Sequence, residues 1–240
     1  MSAPATHVAE PTAPGLLVAE TFTSFQGEGP FTGQPAVFIR LSRCNLSCQF
    51  CDTPYTWDWT RFHPSAEARR QPVTELADWA LAQPARLAVI TGGEPLLQQA
   101  ALIPLAGRLA TAGRQIEIET NGTIAPLPGL TRLVTRFNVS PKLPSSGLPG
   151  SKRIVPAALA AFTTTGKALF KFVICHPGDL ADAAALAAGH DLAPVWVMPE
   201  GTSEQAVLDG LRALAEDALA RGWCLSGRLH VLLWGDTRGR

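Results

Sequence analysis

Short apolar, β-branched runs alternate with longer helical patterns along most of this chain. The predicted strands are Pro35–Leu41, Leu87–Thr91, Gln115–Glu119, Arg136–Val139, Leu169–Ile174, Val195–Met198 and Leu229–Leu233. The clearest predicted helices between them are Thr74–Gln83, Gln98–Ala112 and Ser203–Gly222. Strands that alternate with helices predict a parallel sheet built from βα units, and therefore an α/β fold.

The number of units narrows this prediction. A chain of 240 residues approaches the usual size of an eight-unit barrel, but only about six βα units can be counted. We therefore expect an incomplete, open parallel βα barrel. Residues 15–240 are predicted to form a single domain, and residues 142–153 to form a loop. Residues 1–14, rich in Ala, Pro and Thr, are predicted to be a disordered leader.

Charge and hydropathy exclude some classes of protein. The formal net charge is zero, so no overall basic field favours nucleic acid or a lipid surface. No apolar run approaches the roughly 18 residues of a membrane helix, which predicts a cytoplasmic protein. Thiols stay reduced in that compartment, so clustered cysteines indicate a metal before a disulfide. A pI near 7.0 leaves little charge repulsion against self-association.

Polar, often glycine-bearing motifs follow the predicted strand ends. They are SRCNLSCQFCDT, TGGEP, ETNGT, SPK and MPEGTS. In parallel βα folds the loops beyond the carboxyl ends of the strands form the active-site face. The five motifs are therefore expected to converge on one rim.

The first motif contains the cysteines of the pattern Cys44-x-x-x-Cys48-x-x-Cys51. A structural zinc site needs four closed ligands, and His63 could supply the fourth. A four-iron cluster normally takes four thiolates. Three thiolates leave one iron open, as in a catalytic metal site, and the amino and carboxylate groups of S-adenosylmethionine could chelate that iron. The two remaining cysteines, Cys175 and Cys224, are predicted to be buried structural thiols.

The CxxxCxxC pattern, followed by GGEP after a later strand, resembles the radical S-adenosylmethionine superfamily. The resemblance implies that a reduced cluster cleaves the cofactor to methionine and a 5′-deoxyadenosyl radical, which abstracts hydrogen from the substrate. The protein orients the reactants and excludes side reactions.

Further motifs resemble those of the 7-carboxy-7-deazaguanine synthase family. They are SFQGEG, PAVFIRLSRCNLSC, FCDT, TGGEP, ETNGT and SPK, in this order. The family implies a carbon–nitrogen lyase that converts 6-carboxy-5,6,7,8-tetrahydropterin to 7-carboxy-7-deazaguanine with loss of ammonia, towards queuosine and related deazapurines. It also implies a magnesium ion, a flavodoxin or ferredoxin as electron donor, and a homodimer. Some members carry a long insertion between the first two cysteines, whereas this chain keeps the compact spacing.

The resemblance assigns cofactor roles residue by residue. Cys44, Cys48 and Cys51 would bind the [4Fe-4S] cluster, and the hydroxyl of Thr53 would bind magnesium, although it could equally cap a turn before Pro54. The implied S-adenosylmethionine contacts are Phe50, Cys51, Asp52, Gly93, Glu94, Ser140, Pro141, Lys142, Met198, Pro199, Glu200 and Gly201. In TGGEP, the glycines would let the backbone approach the cofactor, and the glutamate would accept from its ammonium. A tight βα turn is the structural alternative.

The implied substrate contacts are Phe25, Gln26, Gly27, Glu28, Arg40, Thr91 and His230. An amide and a carboxylate, as in Gln26 and Glu28, can read the donor–acceptor edge of a pterin, and Arg40 can bind a carboxylate bidentately. Each assignment has a structural alternative. The segment that holds Gln26 and Glu28 could be a surface turn, and Arg40 could be a solvent-facing charge. His230 could have a purely structural role within the last predicted strand. A site role also remains open for Glu119 and Asn121, which could instead belong to a hairpin turn.

Two other functions stay open on the sequence. One is a radical enzyme that places a glycyl radical on a partner protein, against which the SFQGEG segment argues. The other is a non-enzymatic zinc-binding module.

Overall fold

The computed structural model describes residues 14–240, so the predicted leader lies almost wholly outside the described residues. The strands are β1 Gly15–Phe25, β2 Pro35–Leu41, β3 Arg69–Pro72, β4 Leu87–Gly92, β5 Gln115–Thr120, β6 Arg136–Val139, β7 Ala168–Ile174, β8 Val195–Pro199 and β9 Cys224–Leu225. The helices are α1 Pro64–Glu67, α2 Val73–Ala82, α3 Gln99–Thr111, α4 Pro128–Leu133, α5 Gly150–Arg153, α6 Pro156–Thr164, α7 Asp179–Gly189, α8 Glu204–Arg221 and α9 Leu229–Trp234.

All nine strands form one sheet in the order β3-β1-β2-β4-β5-β6-β7-β8-β9. Every pair from β2 to β9 is parallel, whereas β1 runs antiparallel to both β2 and β3. Strands β3 and β9 are the two ends of this order, so the sheet is not closed. The predicted open parallel barrel is confirmed, with an antiparallel extension that was not predicted.

The apolar core lies between the sheet and its helices. Leu105 and Leu109 of α3 are fully buried against the strands. Farther along the same buried cluster, Phe137 of β6 and Phe162 of α6 meet edge to face, with ring centroids 5.3 Å apart. Strands covered by helices need apolar side chains on consecutive residues, which explains why their sequences read as continuous apolar runs.

The six central parallel strands were predicted within one residue at each end, but the sheet margins were not. Strand β1 was missed, as were β3 and β9. The predicted strand Leu229–Leu233 is wrong, because these residues begin helix α9. A five-residue apolar run does not distinguish a strand from a short buried helix. The sheet ends at β9, and the next segment instead docks on the N-terminal loop, where the amide of Leu229 donates to the carbonyl of Gly27 over 2.9 Å.

The longest helix, α8, begins one residue later than predicted. Ser203 is its N-cap, and the Ser203 hydroxyl accepts a hydrogen bond from the amide of Ala206 over 3.2 Å. One turn further on, the side chain of Gln205 donates to Asp209 over 2.8 Å. Gly222 ends the helix with a φ of 66°, a left-handed conformation that glycine adopts without strain. No helix within residues 14–240 combines the length and apolarity that crossing a bilayer requires.

Two local predictions are corrected. The segment 142–153 is not all loop, because it holds a single turn over Pro144–Ser146 and helix α5. Cys175 and Cys224 are exposed, not buried. Cys175 directly follows the last residue of β7, and Cys224 belongs to the edge strand β9, where no further strand covers it.

Candidate active site

A cavity of about 230 Å³ opens at the carboxyl ends of the parallel strands. Residues from all five predicted motifs line it, including Cys44, Thr91, Asn121, Ser140 and Met198. The predicted convergence on one rim is therefore confirmed. It arises because each motif follows a strand of the same parallel sheet, so all of them leave the sheet at one edge.

Most residues that the resemblance singles out lie in this cavity wall. They are Phe25, Gln26, Gly27, Glu28, Arg40, Cys44, Cys48, Phe50, Cys51, Asp52, Thr53, Thr91, Gly93, Ser140, Lys142, Met198, Glu200 and His230. Four others, Glu94, Pro141, Pro199 and Gly201, are not among the lining residues. Glu119 and Asn121, whose role the sequence left open, also line the cavity.

The three cysteines are free thiols, and the sulfurs of Cys44 and Cys51 receive hydrogen bonds from nitrogen donors. The backbone amide of Leu46 lies 3.4 Å from the sulfur of Cys44, and the indole nitrogen of Trp57 lies 3.2 Å from the sulfur of Cys51. Such donors stabilise a thiolate and tune a bound iron–sulfur cluster. This donor set fits a cluster bound through Cys44, Cys48 and Cys51.

The thiols are partly removed from water. Burial raises the pKa of Cys44 to about 12. Burial also raises the pKa of Cys48, although the nearby Lys142 ammonium opposes the shift. A metal must displace these protons to bind. Among the described residues, no three His, Cys, Asp or Glu side chains converge on a point that could hold one metal ion.

Thr53 begins the turn Pro54–Thr56, as the structural alternative required, but its hydroxyl makes no capping bond. The backbone carbonyl of Thr53 instead accepts from Thr56. The Thr53 hydroxyl lies 3.7 Å from the sulfur of Cys51 and lines the cavity. The Thr53 hydroxyl thus shares a hydrogen bond with the Cys51 sulfur, and its oxygen can also bind a hard cation that prefers oxygen ligands.

The two glycines of TGGEP make room for the protein's own backbone. A Cβ on Gly92 would lie 2.1 Å from the carbonyl oxygen of Leu41, and one on Gly93 would lie 2.1 Å from that of Arg43. Gly92 also has a φ of 141°, which side chains rarely adopt. Strand β4 can therefore approach the cysteine loop only with glycine at both positions. Both glycines also line the cavity.

Glu94 is fully buried, and its carboxylate accepts three hydrogen bonds. The donors are the amides of Leu96 at 2.9 Å and Asn121 at 2.7 Å, and the hydroxyl of Thr120 at 2.8 Å. Burial raises the pKa of Glu94, and these bonds oppose the shift. Glu94 thus joins the TGGEP turn to the ETNGT turn.

Gln26 is also occupied by the protein itself. Its amide nitrogen donates to Glu117 at 2.5 Å and to Glu119 at 3.2 Å, and its oxygen accepts from the amide of Glu28 at 3.2 Å. The second oxygen of Glu119 accepts from Thr91 at 2.7 Å. Burial, with the Glu119 charge adding to it, raises the pKa of Glu117 to about 8. The Gln26 side chain, which lines the cavity, is therefore held in place by Glu117 and Glu119 of strand β5.

Glu28 lies in a buried network of charges. One of its oxygens pairs with Lys171, and the other lies 3.3 Å from the guanidinium of Arg228, which also pairs with Asp52. Burial alone would raise the pKa of Glu28, but Lys171 and Arg228 outweigh it and lower the pKa. Both carboxylate oxygens are used within the protein.

Arg40 lines the cavity, and an ion pair with the neighbouring strand β1 fixes its side chain. Its Nε lies 2.7 Å from Glu20, its cross-strand partner in β1. The same oxygen of Glu20 accepts from the hydroxyl of Tyr55 at 2.7 Å. Tyr55 belongs to the turn that follows Thr53, so Glu20 connects Arg40 to the segment after the cysteines.

His230 lines the cavity from helix α9, not from a strand. A Cβ on Gly27 would lie 2.0 Å from its Nδ1, so only glycine fits there. Burial lowers the pKa of His230, which favours the neutral imidazole. Phe25, 39% exposed, stacks on Trp234 of the same helix at 6.2 Å between ring centroids.

Sequence reasoning missed several residues of this wall. Lys171 was detectable, because it is a charge within an otherwise apolar strand. Arg228 and Asn138 gave no signal. Asn138 of β6 is 1% exposed and lines the cavity, and neither atom of its side-chain amide has a partner in the protein. Most buried amides are hydrogen-bonded, so this one is notable.

Comparison with known proteins identifies similar chains. The family model of the radical SAM superfamily matches residues 38–145. The 7-carboxy-7-deazaguanine synthase of Pyrobaculum aerophilum is 37% identical, over 95% of this chain and 98% of its own. The enzyme of the same name from Hyperthermus butylicus is 38% identical, over 91% and 92%. The crystal structure of QueE from Escherichia coli superposes with a TM-score of 0.68 at 28% identity, over 88% of this chain and 93% of that chain.

Proposed function

The chain belongs to the 7-carboxy-7-deazaguanine synthase family of radical SAM enzymes, and on that basis we propose that it forms 7-carboxy-7-deazaguanine. The substrate is 6-carboxy-5,6,7,8-tetrahydropterin, and the ring contraction releases ammonia. The observation that supports this most directly is the cavity itself, in which three free cysteines share a wall with cationic side chains that include Arg40 and Lys142. Neither a zinc-binding module nor a glycyl-radical activase is supported by this family membership.

In the proposed site, Cys44, Cys48 and Cys51 would hold a [4Fe-4S] cluster, beside which S-adenosylmethionine binds. Together these groups supply the one-electron chemistry that starts a radical reaction. Lys142, whose ammonium donates to the hydroxyl of Ser140 at 3.0 Å, is a cation suited to the cofactor's carboxylate. Phe50 and Met198 supply apolar surface next to these polar groups.

The substrate would bind between the strands that carry Arg40 and Lys171. Arg40, kept in orientation by Glu20, offers its remaining guanidinium donors to a carboxylate. Thr91 and Glu119 are coupled by a hydrogen bond of 2.7 Å and lie within reach of the same space. The Phe25–Trp234 stack covers part of the cavity and would help to exclude water.

The magnesium ion is a separate part of the proposal. Its support is the hydroxyl of Thr53, which makes no capping bond and lines the cavity. A hard cation with oxygen ligands could hold the substrate's carboxylate there. We expect Thr53→Ala to spare cleavage of S-adenosylmethionine and to slow ring contraction. Equal loss of both steps would contradict the magnesium role, and chromatographic quantification of 5′-deoxyadenosine and deazaguanine product separates them.

Several finer features of the proposal follow the family. The product would feed queuosine or a related deazapurine pathway in the cytoplasm. A flavodoxin or ferredoxin would supply the electron, and the enzyme would act as a homodimer. The near-neutral sequence pI of 7.0 is compatible with self-association. Sedimentation equilibrium of the reconstituted protein tests the dimer, which a single monomer mass would contradict.

The central experiment uses anaerobically reconstituted protein with carboxytetrahydropterin, S-adenosylmethionine, reductant and magnesium. We expect 7-carboxy-7-deazaguanine and one equivalent of ammonia per turnover, detected by mass spectrometry and an enzymatic ammonia assay. Cofactor cleavage without deazaguanine would reject the substrate assignment. Protein that binds zinc and shows no iron–sulfur absorption would reject the radical chemistry as well.

A further inference from the structure

The side chain of Arg228 joins three segments that are distant in sequence. Its Nη1 donates to the carbonyl of Gly201 at 2.6 Å, its Nε lies 3.3 Å from Glu28, and its Nη2 pairs with Asp52. Arg228 itself is 6% exposed and lines the cavity. It belongs to the segment between β9 and α9, which the sequence did not connect with the site.

Each of these segments has its own part in the proposed function. Asp52 follows the last cysteine, Gly201 follows strand β8 on the cofactor side, and Glu28 lies on the loop assigned to the substrate. Glu28 is also paired with Lys171 of β7. A guanidinium is planar and presents its donors at fixed angles, so it can hold three acceptors in one arrangement.

We infer that Arg228 is a positioning residue that couples the S-adenosylmethionine site to the substrate site. The inference rests on the proposed function. A ligand that orders the Asp52 or Gly201 segment also fixes the guanidinium, and thereby fixes Glu28 before the second ligand arrives. The second ligand then loses less conformational freedom on binding, so each ligand strengthens the binding of the other.

The coupling can be measured on the oxidised holoenzyme without reductant, in which no turnover occurs. The probe for the substrate site is pterin-6-carboxylate, the aromatic analogue of the substrate, whose fluorescence reports the free ligand in equilibrium dialysis. In the wild-type enzyme, saturating S-adenosylmethionine should lower the Kd of this probe at least about fivefold. Thermodynamic linkage requires that the probe lower the Kd of S-adenosylmethionine by the same factor.

Two variants test the role of Arg228. Arg228→Lys keeps a positive charge beside Glu28 and Asp52, so it should fold. Its ammonium group lacks the planar set of donors with which a guanidinium holds several acceptors in fixed directions. Arg228→Met removes the charge and all three contacts. The coupling factor is the ratio of the probe's Kd without S-adenosylmethionine to its Kd with it. In both variants we expect this ratio to fall below about two, while each ligand alone still binds.

Arg114 offers a matched control. Its guanidinium also donates to three acceptors, the carbonyls of Leu81, Gln83 and Ala85, but it lies outside the cavity. Arg114→Met should lower the thermal midpoint and keep the wild-type coupling factor. It therefore separates lost coupling from a general loss of stability.

The possible outcomes separate a failure of the coupling by Arg228 from a failure of the proposed enzymatic function. Wild-type enzyme without coupling, or Arg228→Lys with the full wild-type factor, would overturn the inference while leaving probe binding and product formation intact. Wild-type enzyme that binds S-adenosylmethionine and not the pterin would instead overturn the substrate assignment, and the inference with it.

Discussion

At the scale of single residues, Glu20 determines how Arg40 is presented to the cavity. One oxygen of Glu20 accepts from both Arg40 and Tyr55, and the other lies 3.2 Å from Arg238. Burial alone would raise the pKa of Glu20, but Arg40 and these hydrogen bonds lower it. Glu20 was not singled out by the sequence, since a glutamate in an N-terminal segment gives no sign of its partners.

We expect Glu20→Gln to raise the KM for the carboxypterin about tenfold and to change kcat little. The reason is that Arg40 loses its charged partner and its fixed orientation, which weakens binding of ground state and transition state alike. Steady-state kinetics measures both constants. Asp78→Asn, which breaks an exposed 2.6 Å pair with Arg108, is the control and should leave both unchanged. A fall in kcat at constant KM would contradict this role of Glu20.

Asn138 supports a second prediction at this scale. Because neither amide atom has a partner in the protein, Asn138→Leu should leave the free energy of unfolding of the ligand-free protein unchanged or raise it by about 1 kcal/mol. Urea unfolding followed by circular dichroism measures this.

Asn45→Leu is the control for the loss of a paired amide, at an exposed residue whose partners Asn121 and Thr123 are buried. The Asn45 amide is paired with Thr123 at 2.8 Å and with Asn121 at 2.9 Å. Its loss leaves buried polar groups unpaired and should cost about 1–3 kcal/mol. Equal losses in both variants would mean that Asn138 is satisfied in solution.

At the scale of elements, strand β5 places two carboxyl groups side by side on its inner face. Glu117 and Glu119 are two residues apart, so both side chains leave the same face of the strand. Glu117 is fully buried behind Gln26, whereas Glu119 reaches the cavity. The two carboxyls therefore share a face but differ in depth, because Gln26 covers Glu117 while Glu119 lines the cavity.

This arrangement predicts a pH dependence of stability. The pKa of Glu117 is raised from 4.5 to about 8 in the folded protein, so the folded state binds more protons than the unfolded state between those values. Stability therefore falls as pH rises through that window. We expect the free energy of unfolding of wild-type protein to drop by about 2 kcal/mol more between pH 6 and pH 8 than that of Glu117→Gln. Urea unfolding at both pH values measures it.

Glu75→Gln is the control for the pH experiment. Glu75 is exposed in the first turn of α2. This variant should keep the wild-type difference between the two pH values. If the free energy of unfolding changes equally between pH 6 and pH 8 in Glu117→Gln and in wild type, Glu117 ionises freely in the folded protein.

At the scale of the whole molecule, one sheet and one main core connect the first described strand with the last. The buried cluster includes Leu16 of β1 and Ala218 of α8, and α9 docks on the loop after β1 through the bond from Leu229 to Gly27. Residues 15–240 should therefore unfold as one unit. We expect far-ultraviolet and near-ultraviolet circular dichroism of ligand-free protein to report one coincident transition. Two separated transitions would indicate two domains.

The sequence alone determined the parallel centre of the fold and the cysteine-bearing rim. A buried parallel strand needs a run of apolar residues, and the chain must turn after it, so strand and motif are both local signals. The six central strands and the lining of the cavity by Cys44, Cys48 and Cys51 followed from such signals.

Only the tertiary structure decided which polar side chains remain free for a ligand. Gln26 and Glu28 were expected to read the substrate, but partners more than 90 residues away occupy both. The free amide belongs to Asn138, and the residue that joins the loops is Arg228. Whether a buried polar group has a hydrogen-bond partner depends on residues that folding brings next to it, and the local sequence does not identify these residues.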